Sequence, residues 1–212
     1  MFYRPDLDPK AHASVGLKHN PFKALVAPRP IAWVSSQDAE GRVNLAPFSY
    51  FNAVSEAPPI LMFAAYGKKA EEDLNKDTLR NVLATKEFVI NLVPTALKDA
   101  MNATAAPFQA GVDEFEQAGL AKAPSEVVAP PRVAESPASF ECRLLQRVEL
   151  PSPDPDYTNG LILGEVVGVH IAEDAVVDGM VDVTRYQPLA RLGYMDYASV
   201  VETFTMPRPT KA

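Results

Sequence analysis

A chain of 212 residues with 47% hydrophobic content is long enough to bury a substantial core and fits one large domain. Its 20 Lys and Arg against 27 Asp and Glu leave a net charge of −7, which argues against nucleic acid or an anionic membrane surface as a general partner. A single cysteine, Cys142, rules out an intrachain disulfide, and no apolar run approaches the ~20 residues of a bilayer span, so the expected setting is cytoplasmic.

Residues 1–20 read as an N-terminal approach segment, 21–203 as the domain and 204–212 as a tail. The 20 prolines cluster at 28–30, 58–59, 124–137, 151–155 and 207–209, where they interrupt regular elements. Pro30 to Ser36 is a β-branched and aromatic run, and Asp38-Ala39-Glu40-Gly41 is a polar, glycine-ended connection suited to a hairpin before a strand at 42–49. Pro59 to Ala65 predicts the next buried strand. A helix is expected from Asp77, as its cap, to Thr85, with Leu79, Val82 and Leu83 at helical spacing, followed by a strand over Glu87–Val93. Ala96 to Thr104 and Asp113 to Gln117 predict two further helices. Residues 121–137, rich in proline and without periodicity, predict an extended connector on the surface.

Two long strand patterns follow, Ser139–Leu150 and Gly160–Ile171, and an antiparallel pairing across the 151–159 loop is the economical topology. Glycines inside the second run mark bulges or bends of the kind a small closed sheet requires. The pattern predicts a mainly β chain: an antiparallel, Greek-key-like barrel of about six strands with peripheral helices, which periodicity alone does not separate from a sandwich.

Between Arg29 and Thr78 the chain gathers small polar residues, aromatics and basic residues. Pro47 interrupts the pairing ladder and leaves backbone groups around Ala46–Asn52 free for a ligand. Taken alone, that stretch reads equally as an edge strand with aromatic core residues, Lys76-Asp77-Thr78 as an ordinary helix start, and Arg29 as half of a structural ion pair. His170 reads as a half-buried core residue, a ligand contact or an interface residue, and His12 and His19 as solvent-facing. Trp33 reads as core packing, with stacking against a bound aromatic group as the alternative. Three dispersed histidines and one cysteine give no ligand-pair spacing, so no metal site is expected.

The ordered set Pro28–Ser36, Asn44–Asn52, Pro58-Pro59, Lys76-Asp77-Thr78 and Glu87–Leu92 resembles the flavin reductase-like, FMN-binding split-barrel family in its flavoredoxin-type branch. Asp113-Glu114-Phe115-Glu116, Pro130–Val133, Ser136-Pro137, Phe140-Glu141-Cys142, Gly164-Glu165-Val166 and Arg191-Leu192-Gly193 continue the match, which spans Pro21 to Tyr197. The resemblance implies a six-stranded split barrel that forms a homodimer and binds FMN near the subunit interface. It implies hydride transfer from NADH or NADPH to flavin, with a partner monooxygenase as one destination of the reduced flavin. An FMN-binding electron carrier without its own nicotinamide activity is the alternative.

By the same resemblance, Ala46, Pro47, Phe48, Ser49, Tyr50, Phe51 and Asn52 cradle the isoalloxazine, and Arg29, Ser49, Lys76, Asp77 and Thr78 form the phosphate side, Asp77 as the helix cap. Arg191 and Tyr194 form the opposite wall. Tyr194 stands where the family often has a second glycine, which bears on access to the ring. No general acid or covalent nucleophile is required, because hydride transfer is intrinsic to the two rings. No GxGxxG fingerprint suggests a separate nucleotide domain.

Overall fold

The computed structural model describes residues 1–68, 77–109, 111–152, 154 and 157–209. Seven strands form one antiparallel sheet: β1 (Ala32–Gln37), β2 (Val43–Phe48), β3 (Phe51–Glu56), β4 (Pro59–Lys68), β5 (Glu87–Asn91), β6 (Ala138–Glu149) and β7 (Tyr157–Ile171), in the order β2-β1-β5-β6-β7-β4-β3. The two end strands, β2 and β3, are consecutive in sequence, so the sheet curls until its ends meet at the Ser49-Tyr50 bend. Phe48 on β2 and Phe63 on β4 close that seam with ring centroids 5.0 Å apart. This is a barrel split between β2 and β3.

The expected strand count of six becomes seven. Asn44–Asn52 reads as one stretch, but the chain bends at Ser49-Tyr50, and Phe51–Glu56 pairs with β4 instead of continuing β2. The long pair β6 and β7 is antiparallel as expected, with register shifts at Leu163/Gly164 and Val166/Gly168. Both shifts fall at glycines. At Gly164 a β-carbon would run into the Phe88 ring, so the absent side chain makes room for a core aromatic.

Strand β1 is buried on both faces because alternate residues serve two cores. Ala32 and Val34 point into the barrel with Phe48, Phe51, Phe63, Phe88, Ile90 and Ile162. Trp33 points outward to Leu45, Val93, Met101, Phe115, Val133 and Leu189. That second core lies beneath the helix Lys98–Ala103, the helix Glu114–Gln117 capped by Asp113, and the connector. The helix Asp77–Thr85 adds Leu79 and Val82 to the barrel core.

Side chains of the barrel hold the proline-rich connector in place. Glu141 on β6 accepts hydrogen bonds from the amides of Glu126, Val127 and Val128, Glu87 from Ala129, and Asn91 from Val133. A second sheet, too short for sequence periodicity to reveal, pairs Arg29–Pro30 with Leu189–Arg191 and then Tyr197–Ser199.

Candidate functional site

The outer edge of β2 sets the frame. The amide of Leu45 points away from β1 to the Glu114 carboxylate at 2.9 Å. By strand alternation Pro47 faces the same way, so its missing N–H leaves no gap in the ladder to β1. Beyond Pro47 the chain turns: Tyr50 offers its carbonyl to the amide of Ala64 at 2.8 Å, and the Ser49 hydroxyl takes no hydrogen bond among the described residues. Phe48 and Phe51 are core residues, while Asn52 is exposed and uses its side-chain oxygen on the amide of Ala53.

At the far end of β2 a buried polar network ties this strand to its neighbours. Thr78, 1% exposed, donates its hydroxyl to Asn44 Oδ1 at 2.6 Å, and Asn44 Nδ2 donates to Glu114 at 2.9 Å. Asn81 Nδ2 donates to the Ser36 hydroxyl at 3.2 Å. Burial, reinforced by Asp77 nearby, pushes the Glu114 carboxyl above its usual range, and the Leu45 amide and Asn44 pull it back only in part.

In this arrangement the one O–H donor of Thr78 is given to Asn44. Asp77 is the first helical residue and pairs with Arg80 at 2.5 Å. Lys76 lies outside the described residues.

Arg29 is 6% exposed, and its pairing is not the ion pair that a rigid arginine between prolines suggests. Its guanidinium donates to the carbonyls of Lys23, Val26 and Leu192, its Nε has no partner, and its Cζ sits 5.9 Å from the Tyr50 ring centroid. Lys23 Nζ approaches the same ring at 6.0 Å. Arg29 thus fastens the helix Phe22–Leu25 and the Leu192 turn to the seam of the barrel. Gly193 completes the contact, since a β-carbon there would overlap Ala24.

Arg191 and Tyr194 stand on the same side as Arg29 and Tyr50, joined through the register pair Arg29–Arg191. Arg191 donates to the Tyr194 carbonyl at 2.5 Å and to the Tyr197 hydroxyl, and its Cζ lies 4.4 Å from the Tyr197 ring centroid. Tyr194 adopts a left-handed backbone, φ 53°, with its ring exposed and 5.6 Å from His19. The structure brings Arg29, Tyr50, Arg191 and Tyr194 together, and sets Asp77 and Thr78 apart at the Asn44 end of β2.

His170 is half-buried on β7, and its Nε2 meets Glu141 Oε1 at 2.5 Å. Sequence reasoning missed His19, Lys23 and Glu141 as structural partners. The signal for Glu141, an acidic residue within an apolar strand, was present.

Residues 25–190 match the family described as flavin reductase like domain. An uncharacterized protein of Aquifex aeolicus is 41% identical over 171 residues, 80% of this chain and 83% of its own length. Among solved structures, nitrilotriacetate monooxygenase component B from Bacillus cereus superposes with a TM-score of 0.86 at 30% identity, covering 97% of this chain and 98% of its own. A Pseudomonas fluorescens 2-nitrobenzoate 2-nitroreductase gives 0.77 at 29% identity, with 89% of each chain covered. The split barrel, the bend at its seam and the match over most of the sequence make this chain a member of the flavin reductase-like split-barrel family.

Proposed function

We propose that the protein binds FMN noncovalently at the seam between β2 and β3 and reduces it with NADH or NADPH. The observation that carries this reading is the Ser49-Tyr50 bend. It combines an unengaged Ser49 hydroxyl, an aromatic ring flanked by Lys23 and Arg29, and a buried Arg29 Nε without a partner. Unused donors and local positive charge beside a flat aromatic surface fit a planar, phosphate-bearing group.

Bound FMN would supply the redox chemistry, taking a hydride from the reduced nicotinamide ring. The chain's own part is to hold and orient. Backbone amides around Ala46–Asn52 would meet the pyrimidine edge of the ring and stabilise the negative charge that grows there. Lys76 and the main-chain amides that open the helix at Asp77 and Thr78 would receive the phosphate. Asn44 and Ser49 are five residues apart on extended chain, roughly 16 Å, which separates a phosphate end from a ring end.

The exposed outer edge of β3, with Val54 at 54% exposure, supports a homodimer built across this seam. A similar structure that is a component of a monooxygenase supports a partner oxygenase as the destination of reduced flavin.

The test is anaerobic addition of NADH or NADPH to the FMN-loaded protein. Loss of the flavin's visible absorbance is expected with at least one donor. Failure with both would reject the reductase activity and leave an electron carrier. Sedimentation of the loaded protein checks the dimer.

A further inference from the structure

The short sheet places Arg29 directly opposite Arg191, and Arg191 directly opposite Tyr197 on its third strand. Residues directly opposed in an antiparallel ladder share a face, so the three side chains form a row roughly 10 Å long. Like charges in that relation repel. Among the described residues neither arginine pairs with a carboxylate: Arg29 donates to carbonyls, and Arg191 to a carbonyl and the Tyr197 hydroxyl. Neutral acceptors engage these guanidiniums without cancelling the charge, and the Arg29 Nε has no partner. In a chain of net charge −7, the Arg191 guanidinium, register-paired with the buried Arg29 and uncompensated by any carboxylate among the described residues, marks a place where a ligand's negative charge belongs.

The Tyr197 end of this row opens into a cleft of about 340 Å³ between the short sheet and the helix Lys98–Ala103. Arg191, Met195 and Tyr197 line one side, and Lys98, Asp99 and Met101 the other. The cleft has the size of a small-molecule site and holds one nucleotide rather than two. Its walls carry two cations against one carboxylate, an aromatic ring 37% exposed, and two thioethers.

We infer that this cleft binds the adenosine 5′-phosphate half of the nicotinamide dinucleotide that donates the hydride. The phosphate sits between Arg191 and Lys98, the adenine lies against Tyr197 and the methionines, and Asp99 accepts a ribose hydroxyl. The remainder of the donor runs from Arg191 over the surface toward Tyr50, where the nicotinamide would meet the flavin. This inference rests on the reductase reading above, and it assigns donor recognition to a surface separate from the cradle at Ala46–Asn52.

The test uses FMN-loaded protein and the variants Lys98→Glu and Lys98→Arg. Calorimetric titration with ADP-ribose is expected to show binding that Lys98→Glu weakens about tenfold or more and Lys98→Arg restores, with retained FMN unchanged in both. In turnover, Lys98→Glu raises KM for the dinucleotide donor but leaves 1-benzyl-1,4-dihydronicotinamide, which has neither phosphate nor adenosine, unaffected. Titration with 5′-AMP against 2′,5′-ADP tells NADH from NADPH as the source. No binding of ADP-ribose at millimolar concentration, or equal effects of Lys98→Glu on both donors, would overturn the site. A parent protein that binds ADP-ribose yet is bleached by neither nucleotide keeps the site and loses the reductase reading.

Discussion

Glu141 Oε1 lies 2.5 Å from His170 Nε2 across the β6–β7 pair, and the same carboxylate, fully buried, also receives three consecutive backbone amides. Burial by itself would raise this carboxyl's pKa. The Glu126, Val127 and Val128 amides and the imidazole outweigh it and bring the value down to about 2. The folded value lies below the ordinary 4.5, so the group's contribution is fully present above about pH 4.5 and is lost as pH falls toward 2.

Glu141→Gln is expected to cost on the order of 2–4 kcal/mol at neutral pH, because a neutral amide replaces a charged acceptor of several buried donors. Urea unfolding of parent and variant at about pH 7 and about pH 3 checks it. The two should converge in acid. A variant that matches the parent in stability and in pH dependence would contradict the clamp.

At Glu114 the sign is opposite. Burial and the neighbouring Asp77 hold this carboxyl above its usual range, so its contribution is favourable below the unfolded value and is lost as pH rises through the folded one. Glu114→Gln keeps an acceptor for Leu45 or Asn44 and removes the buried charge. We expect a stability change of less than about 1 kcal/mol near pH 7. Glu114→Ala, which orphans both donors, should lose roughly 2–3 kcal/mol. Thermal unfolding of the two variants separates them.

Lys76→Ala and Thr78→Ala should both weaken FMN retention, by different routes. Loss of a charge-assisted phosphate contact at Lys76 is worth roughly 1.5–3 kcal/mol of affinity, with little change in the stability of the flavin-free protein. Thr78→Ala removes the donor to Asn44 and should destabilise the flavin-free protein by about 1 kcal/mol, loosening the helix start with it. Flavin titration paired with urea unfolding distinguishes them, and unchanged flavin affinity in both would remove this element from the phosphate side.

Gly193→Ala should displace the helix Phe22–Leu25. The new methyl overlaps Ala24, including its backbone, which a side-chain rotation cannot relieve. Overpacking of this kind costs about 1–3 kcal/mol. Limited proteolysis near the N-terminus should accelerate in the variant, while the barrel's global unfolding changes less.

The barrel strands were legible because long periodic segments carry their own signal, and Gly164 and Gly168 announced the bends between β6 and β7. The seam was legible only in part. Pro47 suggests a break in pairing, yet the ladder to β1 runs through it to Phe48, and the change of partner after Tyr50 depends on β4, distant in sequence. Arg29 reads in the sequence as half of an ion pair or as a phosphate-side residue, yet its acceptors are backbone carbonyls, which every residue possesses and no sequence pattern marks. The same holds for Glu141, whose partners are amides of a segment without periodicity. Strands of two and three residues, such as Arg29–Pro30 and Leu189–Arg191, have no period to read.

The chain's single tryptophan, Trp33, is sealed from solvent, with its indole N–H given to Thr104 at 2.8 Å. It stands on β1 but looks away from the barrel, into the layer beneath the outer helices. Its fluorescence is thus a built-in reporter of that layer alone. A red shift of emission while flavin absorbance persists would signal the outer helices lifting from a barrel that still holds its cofactor, so each half of the molecule can be watched through its own chromophore.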